Sequence, residues 1–364
     1  MRLTPVSRAA GLRLARSLPA SGAGRVPLLA QGTVITERYA TVLAGQGIHA
    51  VWVEDGLSNG IEPTELLPAP IRAETAEQVR SALETARTAF SAKQRLSPST
   101  IQDLTRIVDR VASHVLDSPD AALALNDLAA ADAYTHRHSV NVTALGLLLA
   151  RAQFRTHGWV DYRGERRYDR MDQRLSTLGL GLLLHDIGKM AVPMDVLNKP
   201  GPLDRDEWKV MRTHPEAGVA LLGTSTLGPL VTAVIRDHHE RMDGSGYPRG
   251  ALGDEIHPFA RLAAVADVYD AITSARPYKP ASPAHVGVQV ILDGAGTAFD
   301  PEVVATFRRV VFPFPVGSEV PLSDGRIGVV SSVDPDNPEM PVVRVDGPSG
   351  AQEITVDTRT GVGD

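Results

Sequence analysis

Apolar residues recur at i, i+3, i+4 and i+7 through "TAEQVRSALETARTAFSA" and "SPSTIQDLTRIVDRVASHVL". That is the period of a helix with one buried face. The Ser and Thr residues that open the second stretch suit an N-cap. The same period predicts helices over 120–130, 138–153, 173–188, 204–223, 227–239, 258–274, 283–292 and 301–311. Residues 74–312 therefore read as a helical bundle of roughly ten elements, without the strand–helix alternation of a parallel sheet.

The two ends of the chain carry a different pattern. Over residues 1–68, "GLRLARSLPA" and "RVPLLAQGTVIT" are short apolar stretches joined hairpin-fashion by "SGAG". A helix, "ERYATVLAGQG", follows, with Gly45 or Gly47 near its C-terminal cap. "HAVWVED" then alternates like a strand, and the Pro-rich "IEPTELLPAPIR" reads as a linker. Over 313–364, β-branched stretches split by Asp-Gly and Asp-Asn-Pro turns predict a small antiparallel sheet. The expected fold is mainly α: a helical bundle flanked by a small N-terminal α/β module and a small C-terminal β module.

Composition narrows the chemistry. A net charge of −6 gives no electrostatic argument for nucleic acid. The chain has no cysteine, so disulfides, zinc–thiolate sites and iron–sulfur clusters are excluded, and any metal must be held by His, Asp or Glu. Five arginines precede Glu37, the first acidic residue, but Gly and Pro interrupt this segment too often for a secretory signal. It reads as ordinary domain sequence. No apolar run reaches the length of about 18 residues needed to span a membrane, so the expected location is the cytoplasm.

The eleven histidines carry the strongest signal. His138 in "YTHRHSVNV", His185-Asp186 in "HDIGK", His214 in "RTHPEAG", His238-His239 after "VTAVIRD" and Asp267 in "LAAVADVYDAITS" each sit at or near the end of an apolar stripe. Most single histidines are surface or hydrogen-bonded core residues. Several ionisable groups aimed into one bundle are costly unless they are paired or share a metal. Five imidazoles and two carboxylates exceed the needs of one octahedral ion and suit two, with Asp186 as the bridge. Two ions roughly 3.5–4 Å apart can share a hydroxide and clamp the attacking and leaving oxygens of a phosphodiester. Mixed His/carboxylate ligands suit iron, manganese, zinc or nickel better than calcium.

A phosphate side of the site is also legible. Lys189 lies four residues after His185, one helical turn on, where it could neutralise a phosphate; it also fits as a plain C-terminal lysine of a helix. Gly188 leaves open whether the helix continues that far. Pro277 is expected to turn the chain and return Arg276, Tyr278 and Lys279 toward the site, a cationic cluster suited to phosphodiester charge. Asp270, one turn from Asp267, is an alternative ligand. "HHERMDGSGYP" adds a glycine-bearing loop directly after the His238-His239 pair, with Tyr247 expected to border the site and bind substrate; its plain alternative is a surface turn.

Together "YTHRHS", "HDIGK", "RTHPEAG", "HHERMDGSGYP" and "ADVYDAITSARPYK" resemble the HD-GYP family, cyclic-dinucleotide phosphodiesterases within the HD-domain phosphohydrolase superfamily. The resemblance covers about residues 120–312, in family order, and "HHExxDGxGYP" is its most specific part. It implies an HD-type helical bundle and metal ligands at His138, His185, Asp186, His214, His238, His239 and Asp267. It implies phosphate contacts at Lys189, Arg276 and Lys279, with Asp186 and Lys189 catalytic. The implied reaction opens cyclic di-GMP to linear pGpG by a hydroxide bridging two divalent ions, iron or manganese, with pGpG or GMP as the final product. Some members carry a glutamate four residues before the first histidine that helps hold a third metal. Tyr134 stands there in this chain, which favours two ions. His136 lies about 200° round the helix from His138 and points away. The terminal modules would regulate, or dock a homodimer or signalling partner. The charged stretch 155–172 reads as an exposed insertion placed to cover or border the cleft.

Overall fold

The computed structural model describes residues 1–18, 27–46, 48–63, 67–92, 96–117, 134–161, 163–222, 224–274, 281–348 and 350–363. Within these, the side chains of 69, 70, 86, 89, 90, 116, 117, 134–136 and 224–226 are not described. The predicted helix at 120–130 lies outside this set, as do Arg276, Tyr278 and Lys279. So do the side chains of Tyr134 and His136.

The N-terminal module is a three-stranded antiparallel sheet with β3 (Ala50–Glu54) between β1 (Arg2–Pro5) and β2 (Arg13–Leu14), next to helix α1 (Glu37–Gly45). Thr36 caps α1 by accepting the Tyr39 N–H. The predicted pairing of the two first stretches appears as Leu18 N–H to Leu29 O and Leu14 N–H to Thr33 O, both 2.8 Å. Strand β1 had no alternating signature and was not expected. The C-terminal module is the expected antiparallel sheet, in order β6 (Glu319–Pro321), β7 (Ile327–Ser332), β8 (Val342–Gly347) and β9 (Gly350–Thr355). The two modules meet: Leu3 N–H donates to Gly317 O at 2.9 Å, and Arg2 and Arg8 both pair with Glu319.

Between them lies the helical bundle. It begins with α2 (Ala69–Ser91), so the expected linker already turns helical at Ala69; Pro70 fits because the first helical turn has no N–H to lose. Helices α3 (Pro98–Asp117), α4 (Tyr134–His157) and α5 (Met171–Leu184) follow, then α6 (Met194–Leu197), α7 (Arg205–Met211), α8 (His214–Leu222) and α9 (Thr224–Asp237). The last three are α10 (Pro258–Thr273), α11 (Ala284–Asp293) and α12 (Pro301–Val310). Helix α4 is the central element, packed against α2, α3, α5, α10 and α12. The run "LGLGLLL" of α5 is buried throughout, and its glycines let neighbouring helices close in: a Cβ on Gly181 would lie 2.8 Å from the Val234 Cβ of α9.

Two expectations change. The helix predicted over 204–223 is two helices, broken ahead of Pro215. Pro215 has no N–H to give Met211 O, so the run cannot pass through it unbroken. The insertion also does not border the site. It forms a small hairpin of β4 (Trp159–Val160) and β5 (Arg166–Arg167), fastened to α12 by Arg166–Glu302 at 3.0 Å. His157 is nineteen residues beyond His138 on one helix, about 28 Å along its axis, so the insertion sits at the far end of the bundle.

Candidate metal centre

Three of the candidate histidines sit where a helix stops. Helix α5 ends at Leu184, and His185 Nδ1–H donates to Leu182 O at 2.7 Å. The break before Pro215 frees Met211 O, which accepts from His214 Nδ1–H at 2.9 Å. Helix α9 ends at Asp237, and His238 Nδ1–H donates to Ile235 O at 3.0 Å. The last carbonyls of a helix lack backbone donors, and these imidazoles supply them. That contact fixes each tautomer and leaves each Nε2 lone pair facing inward. His138 is oriented differently: its Nδ1 contacts Asp270 Oδ2 at 2.6 Å, and Asn141 and Ser274 steady Asp270 Oδ1 at 2.9 and 2.8 Å.

The inward nitrogens converge on Asp186. Its Oδ1 lies 3.4 Å from His214 Nε2 and 3.9 Å from His238 Nε2, and its Oδ2 lies 3.4 Å from His185 Nε2 and 3.6 Å from His138 Nε2. Potential ligand atoms of Asp186, His214, His238 and His239 all fall within 4.8 Å of one another, as do those of His138, His185 and Asp186. Asp186 belongs to both groups. Asp267 spans them too, with Oδ1 at 3.1 Å from His138 Nε2 and Oδ2 at 3.6 Å from His239 Nδ1. The structure thus brings all seven candidate ligands together. Asp270, the alternative, faces His138 from behind instead.

The donor set fits divalent metal. His214 Nε2 and His238 Nε2 stand 3.3 Å apart, and each carries a lone pair because its proton is on Nδ1. Among the described residues, buried Asp186 Oδ1 and His185 Nε2 have no hydrogen-bond partner. Facing lone pairs and an orphaned carboxylate oxygen are unfavourable on their own, and a cation among them satisfies all of them.

Electrostatics follow from burial. Burial holds His214 down to about 4 and His239 to about 3, and holds His238 well below its ordinary value. Burial also opposes charge on His138, but the Asp267 and Asp270 carboxylates outweigh it and raise His138 to about 9. Burial would likewise raise Asp186, yet Lys189, His185 and His214 hold its carboxyl well below the usual range.

Lys189 reaches the site by a tighter turn than expected. After Leu184 the chain continues as a 3₁₀ segment, Ile187–Ala191, in which residues three apart eclipse. Lys189 Nζ therefore meets Asp186 Oδ2 at 2.5 Å, with the lysine partly exposed. Gly188 serves contact rather than termination. A Cβ there would lie 1.8 Å from His214 O and 2.5 Å from Gly218 N, so only glycine lets this turn press against α8.

The loop after His239 is built by residues the sequence reading passed over. Buried Glu240 accepts from Arg249 N–H at 2.7 Å and Ala251 N–H at 2.9 Å, closing the loop on itself. Buried Asp237 pairs with Arg236 at 2.8 Å and Arg249 at 3.1 Å. A Cβ on Gly246 would meet the 239–241 backbone at 2.5–2.6 Å. The Tyr247 ring stacks on His239, centroids 4.7 Å apart, with the Arg212 guanidinium 4.6 Å over it. The acidic residues inside "RDHHE" were the available signal, since an Asp and a Glu flanking ligands in an apolar context must find partners.

Residues 142–303 match the model of the HD-domain family. A Pseudomonas aeruginosa protein named a cyclic di-GMP phosphodiesterase is 43% identical over 225 residues, 62% of this chain and 50% of that protein. A Thermotoga maritima cyclic di-GMP phosphodiesterase is 34% identical over 181 residues, 49% of this chain and 45% of that protein. A Vibrio cholerae 3′3′-cGAMP-specific phosphodiesterase is 37% identical over 129 residues, 35% of this chain and 28% of that protein. The chain spans at most about half the length of these relatives. Among the described residues, no helix is long and apolar enough to cross a membrane. The HD-domain match and these relatives make the helical region of this chain similar to proteins named cyclic di-GMP phosphodiesterases.

Proposed function

We propose that this chain is a metal-dependent phosphodiesterase that opens cyclic di-GMP to pGpG. The observation that carries this reading is the pair of ligand groups sharing Asp186, each walled by imidazoles whose Nδ1 protons are already committed. His138, His185, Asp186, His214, His238, His239 and Asp267 would hold two divalent ions, iron or manganese. Bound there, the ions supply positive charge for the phosphoryl oxygens and lower the pKa of an attacking water.

The chain's own residues do the rest. Lys189, partly exposed beside Asp186, is placed to take the charge of a phosphate oxygen entering the cleft. Asp270, steadied by Asn141 and Ser274, holds the His138 ring and keeps its proton on Nδ1. Tyr247, fixed by His239 and Arg212, walls the entrance. Arg276 and Lys279 are proposed as further phosphate contacts on their sequence position. The terminal modules, joined through Glu319, are proposed as the regulatory or docking unit.

The test is turnover of cyclic di-GMP by manganese- or iron-reconstituted protein, with products followed by chromatography and 3′3′-cGAMP as a second substrate. Linear pGpG is expected, with GMP appearing only if a second cleavage follows, and His185→Ala/Asp186→Ala should abolish turnover. Tight nucleotide binding without turnover would instead identify a sensor, and turnover surviving the double substitution would refute the site.

A further inference from the structure

An open cleft of about 510 Å³ adjoins the metal centre and shares His238 and His239 with it. Its floor is apolar, including Val268 and Phe299, and its wall carries Trp208 on α7 and Arg212 at the C-terminal cap of that helix. These two are four residues apart, hence on one face of the helix, and Arg212 N–H donates to Trp208 O at 3.0 Å. The face is rigidly set, because Asp204 and Glu207 form a capping box at the start of α7.

The aromatic groups in this cleft are not equivalent. Phe299 is buried in the floor, and the Tyr247 ring is already engaged by His239 and Arg212. Trp208 is 49% exposed, a large apolar surface held at the rim of a polar site. Among the described residues, the neighbouring Arg212 guanidinium has no carboxylate partner; its contact is with the Tyr247 face.

We infer that Trp208 is the stacking platform for a purine base of the substrate, with Arg212 offering donors to the edge of that base. This rests on the reading of the site as a cyclic-dinucleotide phosphodiesterase. A diester whose phosphorus sits among the histidines must place its nucleoside beside them, and the cleft lined by His238 and His239 offers that space. A guanine needs an apolar face to stack on and hydrogen-bond donors for its O6 and N7 acceptors, and an indole beside a guanidinium supplies both. Trp208 and Arg212 therefore determine which diesters enter, and the histidines and Lys189 act on whichever phosphorus is delivered.

The experiment compares manganese-loaded wild type, Trp208→Ala and Trp208→Phe on cyclic di-GMP and on methyl p-nitrophenyl phosphate, a diester without a base. The expected result is a roughly 5- to 100-fold fall in the kcat/KM ratio of cyclic di-GMP to the base-free diester in Trp208→Ala. It should be carried by KM and largely restored in Trp208→Phe. A direct readout accompanies it. The chain has three tryptophans, and Trp52 and Trp159 are buried. Titration with GMP, which carries base and phosphate but no diester, should quench the wild-type fluorescence and leave Trp208→Phe unquenched. An unchanged ratio together with quenching that survives in Trp208→Phe overturns the platform. Wild type that is quenched by GMP yet cleaves no cyclic di-GMP supports the platform and overturns the substrate reading instead.

Discussion

Gly188→Ala is the smallest change that should take this site apart. The added methyl would lie 1.8 Å from His214 O and 2.5 Å from Gly218 N, where 3.4 Å is an ordinary contact. Both obstacles are backbone, so no side chain can swing aside. The 3₁₀ turn carrying Asp186 and Lys189 must move about 1.5 Å away from α8, and α8 carries His214. Overpacking of this kind costs roughly 1–3 kcal/mol, and backbone-on-backbone contact belongs at the upper end. The functional cost should be larger, since metal ligands tolerate only about 0.2 Å and a 1 Å misplacement in an active site costs on the order of 100-fold. Denaturant unfolding and metal content after dialysis, followed by kcat/KM, measure the two effects. Gly218→Ala is the internal control. Its methyl would meet Ile235 Cγ2 at 2.9 Å and the Gly188 N at 3.3 Å, a much smaller overlap than 1.8 Å, and should cost less. If Gly188→Ala kept its metals and matched Gly218→Ala in stability, the close approach would not be what positions Asp186 against His214.

Further expectations follow from the surrounding contacts. Asp270→Asn should keep a hydrogen bond to His138 but remove the charge behind it, weakening metal binding by about 10- to 100-fold in a chelator competition; equal affinity would refute the orienting role. Glu240→Ala strips the partner from the Arg249 and Ala251 N–H groups, at about 1–3 kcal/mol. Faster proteolysis or hydrogen exchange over 240–252 should report it, and unchanged protection would count against the staple. Stability of the metal-free protein should peak near pH 6.5. His214 and His239 are depressed to about 4 and 3, so the unfolded chain binds more protons and stability falls as pH drops below about 6.5. His138 is raised to about 9, so its contribution is complete below about 6.5 and is lost as pH rises through 9. Metal loading at pH 7 should then release about one proton from His138, read by calorimetry in buffers of different ionisation enthalpy. A flat stability profile, or no proton release, would contradict this charge assignment.

Much of the site was legible because its ligands interrupt apolar periodicity. His138, His185, Asp186, His214, His238, His239 and Asp267 stand out as polar groups in stretches that must be buried, and all seven meet in space. The helical bundle and C-terminal sheet were legible for the same reason, because periods of 3.6 and 2 report which face is buried. Strand β1 was not, since four residues, RLTP, carry too short a pattern. The break before Pro215 was readable in principle from proline chemistry, but the apolar period ran across it.

What the sequence determined by itself was the list of groups and the class of element bearing each, since side-chain type and periodicity are local properties. What only the tertiary structure decided was which atom of each group faces the centre. Each helix end leaves a carbonyl that one imidazole nitrogen satisfies, which points the other at Asp186. It also decided that Asp270 stands behind His138 while Asp267 stands before it, and that Gly188 is needed for contact and not for a stop. It placed the charged insertion far from the cleft and Trp208 beside it. Those outcomes depend on how separate helices pack, and packing distances of a few ångströms are not encoded in the spacing of residues along any one of them.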